Sequence, residues 1–182
     1  RAEDKYVRAV RGGVGEAKAS GNYAASLHPA KRAQEMGYDQ VMWTDAHEFK
    51  YIQEVGTMNI FFVIDGTVVT PKAEGAILKG ITRDSIITYL KSEGIPVEIR
   101  RISVDEVEEA YENGLLTEVF GTGTAAVVAH VSKIGIHGKD LELDPDNWNI
   151  SVKAKQYING LRKGTIPDEH GWIVPVEERV FA

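Results

Sequence analysis

The sequence predicts one mixed α/β domain of the α+β kind. Three observations carry this. Apolar runs of strand length follow one another closely between residues 40 and 70. Segments of helical period lie between groups of strands instead of alternating with single strands. A chain of 182 residues, 43% of them hydrophobic, is long enough to bury one proper core.

Lys5–Val10 alternates apolar and polar residues in part and is expected to be a strand running into the glycine stretch at residues 12–15. Asn22 is expected to cap a helix over Tyr23–Met36, with Ala24, Leu27, Ala30, Ala33 and Met36 at helical spacing, Gly37 as the stop, and Pro29 marking a kink or a later start. Gln40–Thr44, Tyr51–Val55 and Met58–Ile64 read as strands, and Asp65-Gly66 supplies a tight turn into Thr67–Thr70, which makes an antiparallel meander. A helix follows over Thr82–Ser92, ended by Gly94, then a strand over Pro96–Ile102. Ser103 and Glu106 have capping-box spacing ahead of a helix over Val104–Glu112, which Asn113-Gly114 stops. Thr117–Phe120 and Ala125–Val131 are expected to flank a glycine turn at Gly121-Thr122-Gly123, and Ile150–Leu161 to form the last helix before a tail holding Trp172, Ile173 and Val174.

Composition excludes several classes. The net charge of −6 argues against a nucleic-acid or anionic-membrane surface, which needs a basic stripe. Without cysteine there is no disulfide, thiolate metal site or cysteine nucleophile. Apolar runs such as Ile60–Ile64 are too short to span a bilayer, and no signal peptide opens the chain, so a cytoplasmic protein is expected. The five histidines lack metal-ligand spacing, and no metal is expected. The start at Arg1 without methionine suggests a fragment or a processed product.

Four stretches concentrate chemistry. Gly12–Leu27 sets one amine, Lys18, among glycines that let backbone approach a ligand. Neither phosphate fingerprint fits there: Lys18 lies between Ala17 and Ala19, and it stands where a dinucleotide loop needs its third glycine. Tyr51–Asn59 places a carboxylate, Glu54, among apolar strand residues before a glycine bend. Leu78–Ser85 sets Gly80 at the head of a helix, where unpaired N–H groups and the dipole suit a phosphate. Phe120–Ala126 is a second small-residue turn after a strand.

Taken together and in this order, Lys18-Ala19-Ser20-Gly21-Asn22-Tyr23, Glu54-Val55-Gly56-Thr57-Met58-Asn59, Leu78–Ser85 and Gly121–Ala125 resemble the branched-chain aminotransferases, fold-type IV pyridoxal-phosphate enzymes. The glutamate stretch matches almost letter for letter. The resemblance implies the large domain of the D-amino acid aminotransferase-like fold, a mixed barrel-like sheet flanked by helices. It implies pyridoxal 5'-phosphate as cofactor and Lys18 as its Schiff-base lysine, general acid and base. Tyr23 would bond the cofactor's phenolic oxygen and Glu54 its pyridine nitrogen. Leu78 would pack on the ring; Ile81, Thr82 and Thr124 would hold the phosphate. Thr57, Thr124 and Ala125 would face substrate. Branched-chain amino acids (leucine, isoleucine, valine), glutamate and 2-oxoglutarate are the implied substrates, and a homodimer the implied full-length state. Lys79 stands where many relatives carry proline, and Ala126-Val127 follow where some carry redox-controlling cysteines.

Family members carry an additional N-terminal small domain that gives a phosphate-binding arginine and part of the substrate pocket. This chain is expected to be the large domain alone, weakly active or inactive in isolation. The alternatives are a D-amino acid aminotransferase or aminodeoxychorismate lyase of the same fold type, or a non-catalytic binding module on the same scaffold.

Overall fold

A computed structural model describes residues 1–174 and 176. Its centre is strand β3 (Met58–Ile64), whose apolar run Ile60–Ile64 is explained by burial on both faces. Ile60 and Phe62 enter one hydrophobic cluster, Phe61 and Val63 the other, as the two-residue period of a strand requires.

The expected meander is present: β1 (Met42–Thr44), β2 (Ile52–Val55), β3 and β4 (Thr67–Thr70) pair antiparallel in sequence. Asp65 and Gly66 both have positive φ, 48° and 72°, as a two-residue turn of primed type needs. Helix α1 (Ser20–Glu35) precedes the meander. After β4, helix α2 (Ile81–Ser92) crosses over to β5 (Val97–Ile99), which lies parallel to β4. Helix α3 (Val104–Glu112) leads to β6 (Leu116–Gly123), which takes the free edge of β3, and β7 (Val127–His130) completes seven strands.

β2 and β4 share the other edge of β3 and diverge there. β2 pairs only with Met58 and Asn59, β4 only with Phe62 to Ile64. In the fork between them the Thr70 hydroxyl donates to the Ile60 carbonyl at 2.8 Å, and buried Arg83 of α2 donates to the Pro71 carbonyl at 2.8 Å. The start of α2 is thereby pinned beside the fork. Helices α2 and α4 (Ile150–Lys163) cover one face of the sheet. Helix α3 covers the other, with a hairpin of β8 (Lys133–Ile136) and β9 (Lys139–Glu142).

Several expectations are corrected. Lys5–Val10 is not a strand: the Glu3 carboxylate accepts from the N–H groups of Lys5 and Tyr6, both at 3.1 Å, and bends the chain away from the sheet. Asn22 does not cap α1, which begins at Ser20. Its buried amide instead donates to the carbonyls of Val14 and Ala17, at 2.8 and 3.0 Å, and folds the glycine stretch onto the helix. The helix runs through Pro29 without restarting, and of its expected apolar face only Ala33 is buried, Leu27 being 71% exposed.

Gly121-Thr122-Gly123 is strand, not turn; the turn is Thr124–Ala126. Gly121 serves close approach, since a Cβ there would lie 2.9 Å from both Met58 and Val55 side chains. The β8–β9 hairpin has no counterpart in the sequence reading; its turn, His137-Gly138, again has positive φ at both residues, 48° and 79°. The capping box is half formed: Ser103 accepts from the Glu106 N–H at 3.0 Å, while the Glu106 carboxylate turns to Arg100.

Candidate active site

A cavity of about 420 Å³ lies between the stretch entering α1, the ends of β2, β3 and β6, and the start of α2. All nine residues singled out in the sequence line it: Lys18, Tyr23, Glu54, Thr57, Leu78, Ile81, Thr82, Thr124 and Ala125.

Lys18 ends the glycine stretch and lies exposed at the mouth, one turn before Tyr23 on α1. Gly15 holds this stretch against the Ala76 backbone; a Cβ there would stand 2.6 Å from it, so no other residue fits. Glu16 continues the attachment by accepting from the Gly75 N–H and pairing with Lys79 at 3.4 Å. Through this pair Lys79 links the loop ahead of α2 to the glycine stretch.

Glu54 is 3% exposed. Its Oε2 pairs with Arg8 at 2.9 Å, and its Oε1 accepts from the Leu78 N–H at 2.9 Å and from the Asn59 amide at 3.4 Å. Desolvation pushes its pKa up to about 7, against the pull of Arg8, the Leu78 N–H and the charge of Lys18. The carboxyl is thus poised to change protonation with its surroundings.

At the third wall, Gly80 caps α2 with no side-chain hydrogen bond, which leaves the first-turn N–H groups of Ile81 and Thr82 without a side-chain cap. Gly80 touches Asn59 Oδ1 so closely that a Cβ would collide with it. Asn59 Nδ2 also donates to the Leu78 carbonyl at 2.9 Å, so one amide fixes this loop to the sheet. Thr57 sits in the β2–β3 turn, and Thr124 and Ala125 form the exposed turn after β6.

Three lining residues escape sequence reasoning. Arg8 lies in the segment that reads as a strand and is not one, and nothing local announces its distant partner Glu54. Asn59 reads only as the end of a motif, and Thr122 as part of a turn. Two of the three carry buried polar atoms with no hydrogen-bond partner among the described residues, Arg8 Nε and Thr122 Oγ1. Arg8 pairs with Glu54 and Lys79 with Glu16, which leaves Lys18, among the described residues, as the uncompensated charge lining the cavity. In a chain of net charge −6 this is a local positive site, suited to an anionic ligand with further acceptors.

A fold of this kind around a lysine, a buried carboxylate and an uncapped helix start defines a class of protein. The amino-transferase class IV family matches residues 5–134, and the chain belongs to it. Within that class the resemblance narrows. Over 175 residues the chain is 54% identical to branched-chain-amino-acid transaminase 1 of Bacillus subtilis, covering 96% of this chain and 49% of that one. The crystal structure of the Escherichia coli branched-chain amino acid aminotransferase superposes with a TM-score of 0.77 at 32% identity, over 93% of this chain and 52% of that chain. The branched-chain aminotransferase of the thermophilic archaeon Thermoproteus uzoniensis, solved with norvaline, gives 0.68 at 31% identity, over 82% and 46%. The chain spans about half the length of the curated relatives it matches.

Proposed function

We propose that this chain is the cofactor-binding domain of a pyridoxal 5'-phosphate-dependent aminotransferase that exchanges the amino group of leucine, isoleucine or valine with 2-oxoglutarate. The observation that carries the reading is the convergence of Lys18, Glu54 and the uncapped start of α2 on one cavity. The cavity fits the cofactor: its orphaned donors, Arg8 Nε and Thr122 Oγ1, seek acceptors, and its net positive lining seeks an anion.

When bound, the cofactor supplies an electron-withdrawing ring that stabilises negative charge at the substrate α-carbon. Lys18 Nζ would provide the amine that holds the cofactor and the base that moves a proton at the substrate α-carbon. Glu54 offers its carboxylate to a protonated ring nitrogen. Arg8 and the Leu78 N–H keep the carboxylate in place. Ile81 and Thr82 present backbone N–H groups, and Thr124 a hydroxyl, to the phosphate. Leu78 would cover the ring and Tyr23 would bond its phenolic oxygen. Thr57, Thr124 and Ala125 face the substrate carboxylate and side chain.

The chain spans about half the length of its relatives, and slow turnover is expected when it is assayed alone. Incubation with pyridoxal 5'-phosphate, borohydride reduction and peptide mapping should label Lys18. Label that is absent, or scattered over surface lysines, overturns the reading. Preference for L-leucine over D-alanine as amino donor separates it from the D-amino acid enzymes, whose Glu54–Asn59 stretch differs. A binding module would keep its activity in Lys18→Ala.

A further inference from the structure

Thr122 lies on a row of residues that runs straight across the sheet. Glu54 of β2 is opposite Asn59 of β3, Asn59 is opposite Thr122 of β6, and Thr122 is opposite Val128 of β7. Directly paired residues point to the same face, so Glu54, Asn59 and Thr122 form a polar line along the cavity floor. Gly121, one position earlier, faces the opposite side against Val55 and Met58.

The row also locates Thr122 relative to α2. Asn59 Oδ1 is the atom against which Gly80, the N-cap of α2, is packed. Thr122 is the next residue along the row, and it lines the same cavity as Gly80, Ile81 and Thr82 at the uncapped helix start. It is 1% exposed, lines the cavity, and its Oγ1 has no partner among the described residues. A buried hydroxyl without a partner is destabilising, so the site retains a feature that opposes folding of the empty protein.

We infer that the Thr122 hydroxyl is a binding residue for the phosphate of the ligand, donating from the floor of the sheet to the anion held at the start of α2. The inference rests on the function proposed above. It adds a donor from strand β6 itself to those expected from Ile81, Thr82 and Thr124. Such a donor is made to wait: buried before the ligand arrives and satisfied only when an anion occupies the site.

The test compares wild type, Thr122→Val and Thr122→Ser by equilibrium titration with pyridoxal 5'-phosphate and with pyridoxal, which lacks the phosphate. Thr122→Val should bind the phosphorylated ligand about tenfold more weakly. It should bind pyridoxal like wild type, and its ligand-free melting temperature should equal or exceed the wild-type value because the orphaned hydroxyl is gone. Thr122→Ser should restore affinity for the phosphate ester. Equal affinity of Thr122→Val and wild type for the phosphorylated ligand overturns the inference and leaves the proposed function standing. Equal losses for both ligands also overturn it, since the contact would then lie at the ring. Failure of wild type to bind either ligand overturns the proposed function, and this inference with it.

Discussion

Glu54 and Glu118 are buried alike, 3% and 2% exposed, on the same face of one sheet, yet their surroundings are opposite. Glu118 of β6 meets the start of α4 head on. It accepts from the N–H groups of Asn149, Ile150 and Ser151 at 2.9, 2.8 and 2.8 Å, and from the Ser151 hydroxyl. Both its oxygens are engaged by donors the helix could not otherwise satisfy, so a strand caps a helix 31 residues away. Glu54 faces a cavity. Its donors are fewer, one of them is long, and desolvation prevails, raising its pKa to about 7. Burial alone does not make a carboxyl structural or functional. What separates them is whether the protein itself completes the shell of donors.

Three measurements can break or sharpen this contrast. The largest effect belongs to the closed site: Glu118→Ala, which strips the start of α4 of its acceptors, should cost about 4 kcal/mol in urea denaturation. A loss below about 1 kcal/mol would mean that water replaces the carboxylate freely.

The next concerns the open site. The folded pKa of Glu54 lies above the ordinary value of 4.5, so between pH 4.5 and about 7 the folded state binds more protons than the unfolded state. The Glu54 contribution is therefore most favourable below pH 4.5 and declines as pH rises toward 7, by up to about 3 kcal/mol for a shift of this size. Glu54→Gln should remove that decline: its stability relative to wild type should grow from about pH 4.5 to just above pH 7 and then level. A difference that stays flat over this range would show that Glu54 is ionised throughout.

The smallest effect should come from Asn59→Ala, which removes the amide shared by Glu54 and the Leu78 carbonyl. A stability loss of about 1 kcal/mol is expected, together with a further upward movement of the Glu54 titration, readable from the same pH series. A downward movement would show that the amide opposes the charged form.

Much of this architecture is legible in the sequence because its causes are local. The meander follows from closely spaced apolar runs of strand length and from Asp65-Gly66, and Ser103 marks the start of α3 within one turn. The nine expected lining residues come from motif resemblance, and the fold brings them together without exception. What escapes has distant causes. Arg8 looks like any alternating polar residue until Glu54 and the Ala76 carbonyl are placed beside it. Glycine normally signals a turn, but Gly121 and Gly123 are strand residues, and Gly121 answers Met58 and Val55 of a neighbouring hairpin. That false turn signal conceals Thr122 as well. The exposed face of α1 likewise defeats periodicity, since helical spacing indicates a stripe and not what covers it.

The walls of the cavity are joined by contacts that span 19 residues from Asn59 to Leu78, 24 from Glu54 to Leu78, 59 from Glu16 to Gly75 and 68 from Arg8 to Ala76. The cavity is complete only when β6 has paired with β3 and brought Thr122 and the turn at Thr124–Ala126 to it. By then nearly all of the sheet is in place. A ligand that binds the assembled cavity stabilises the finished fold by mass action.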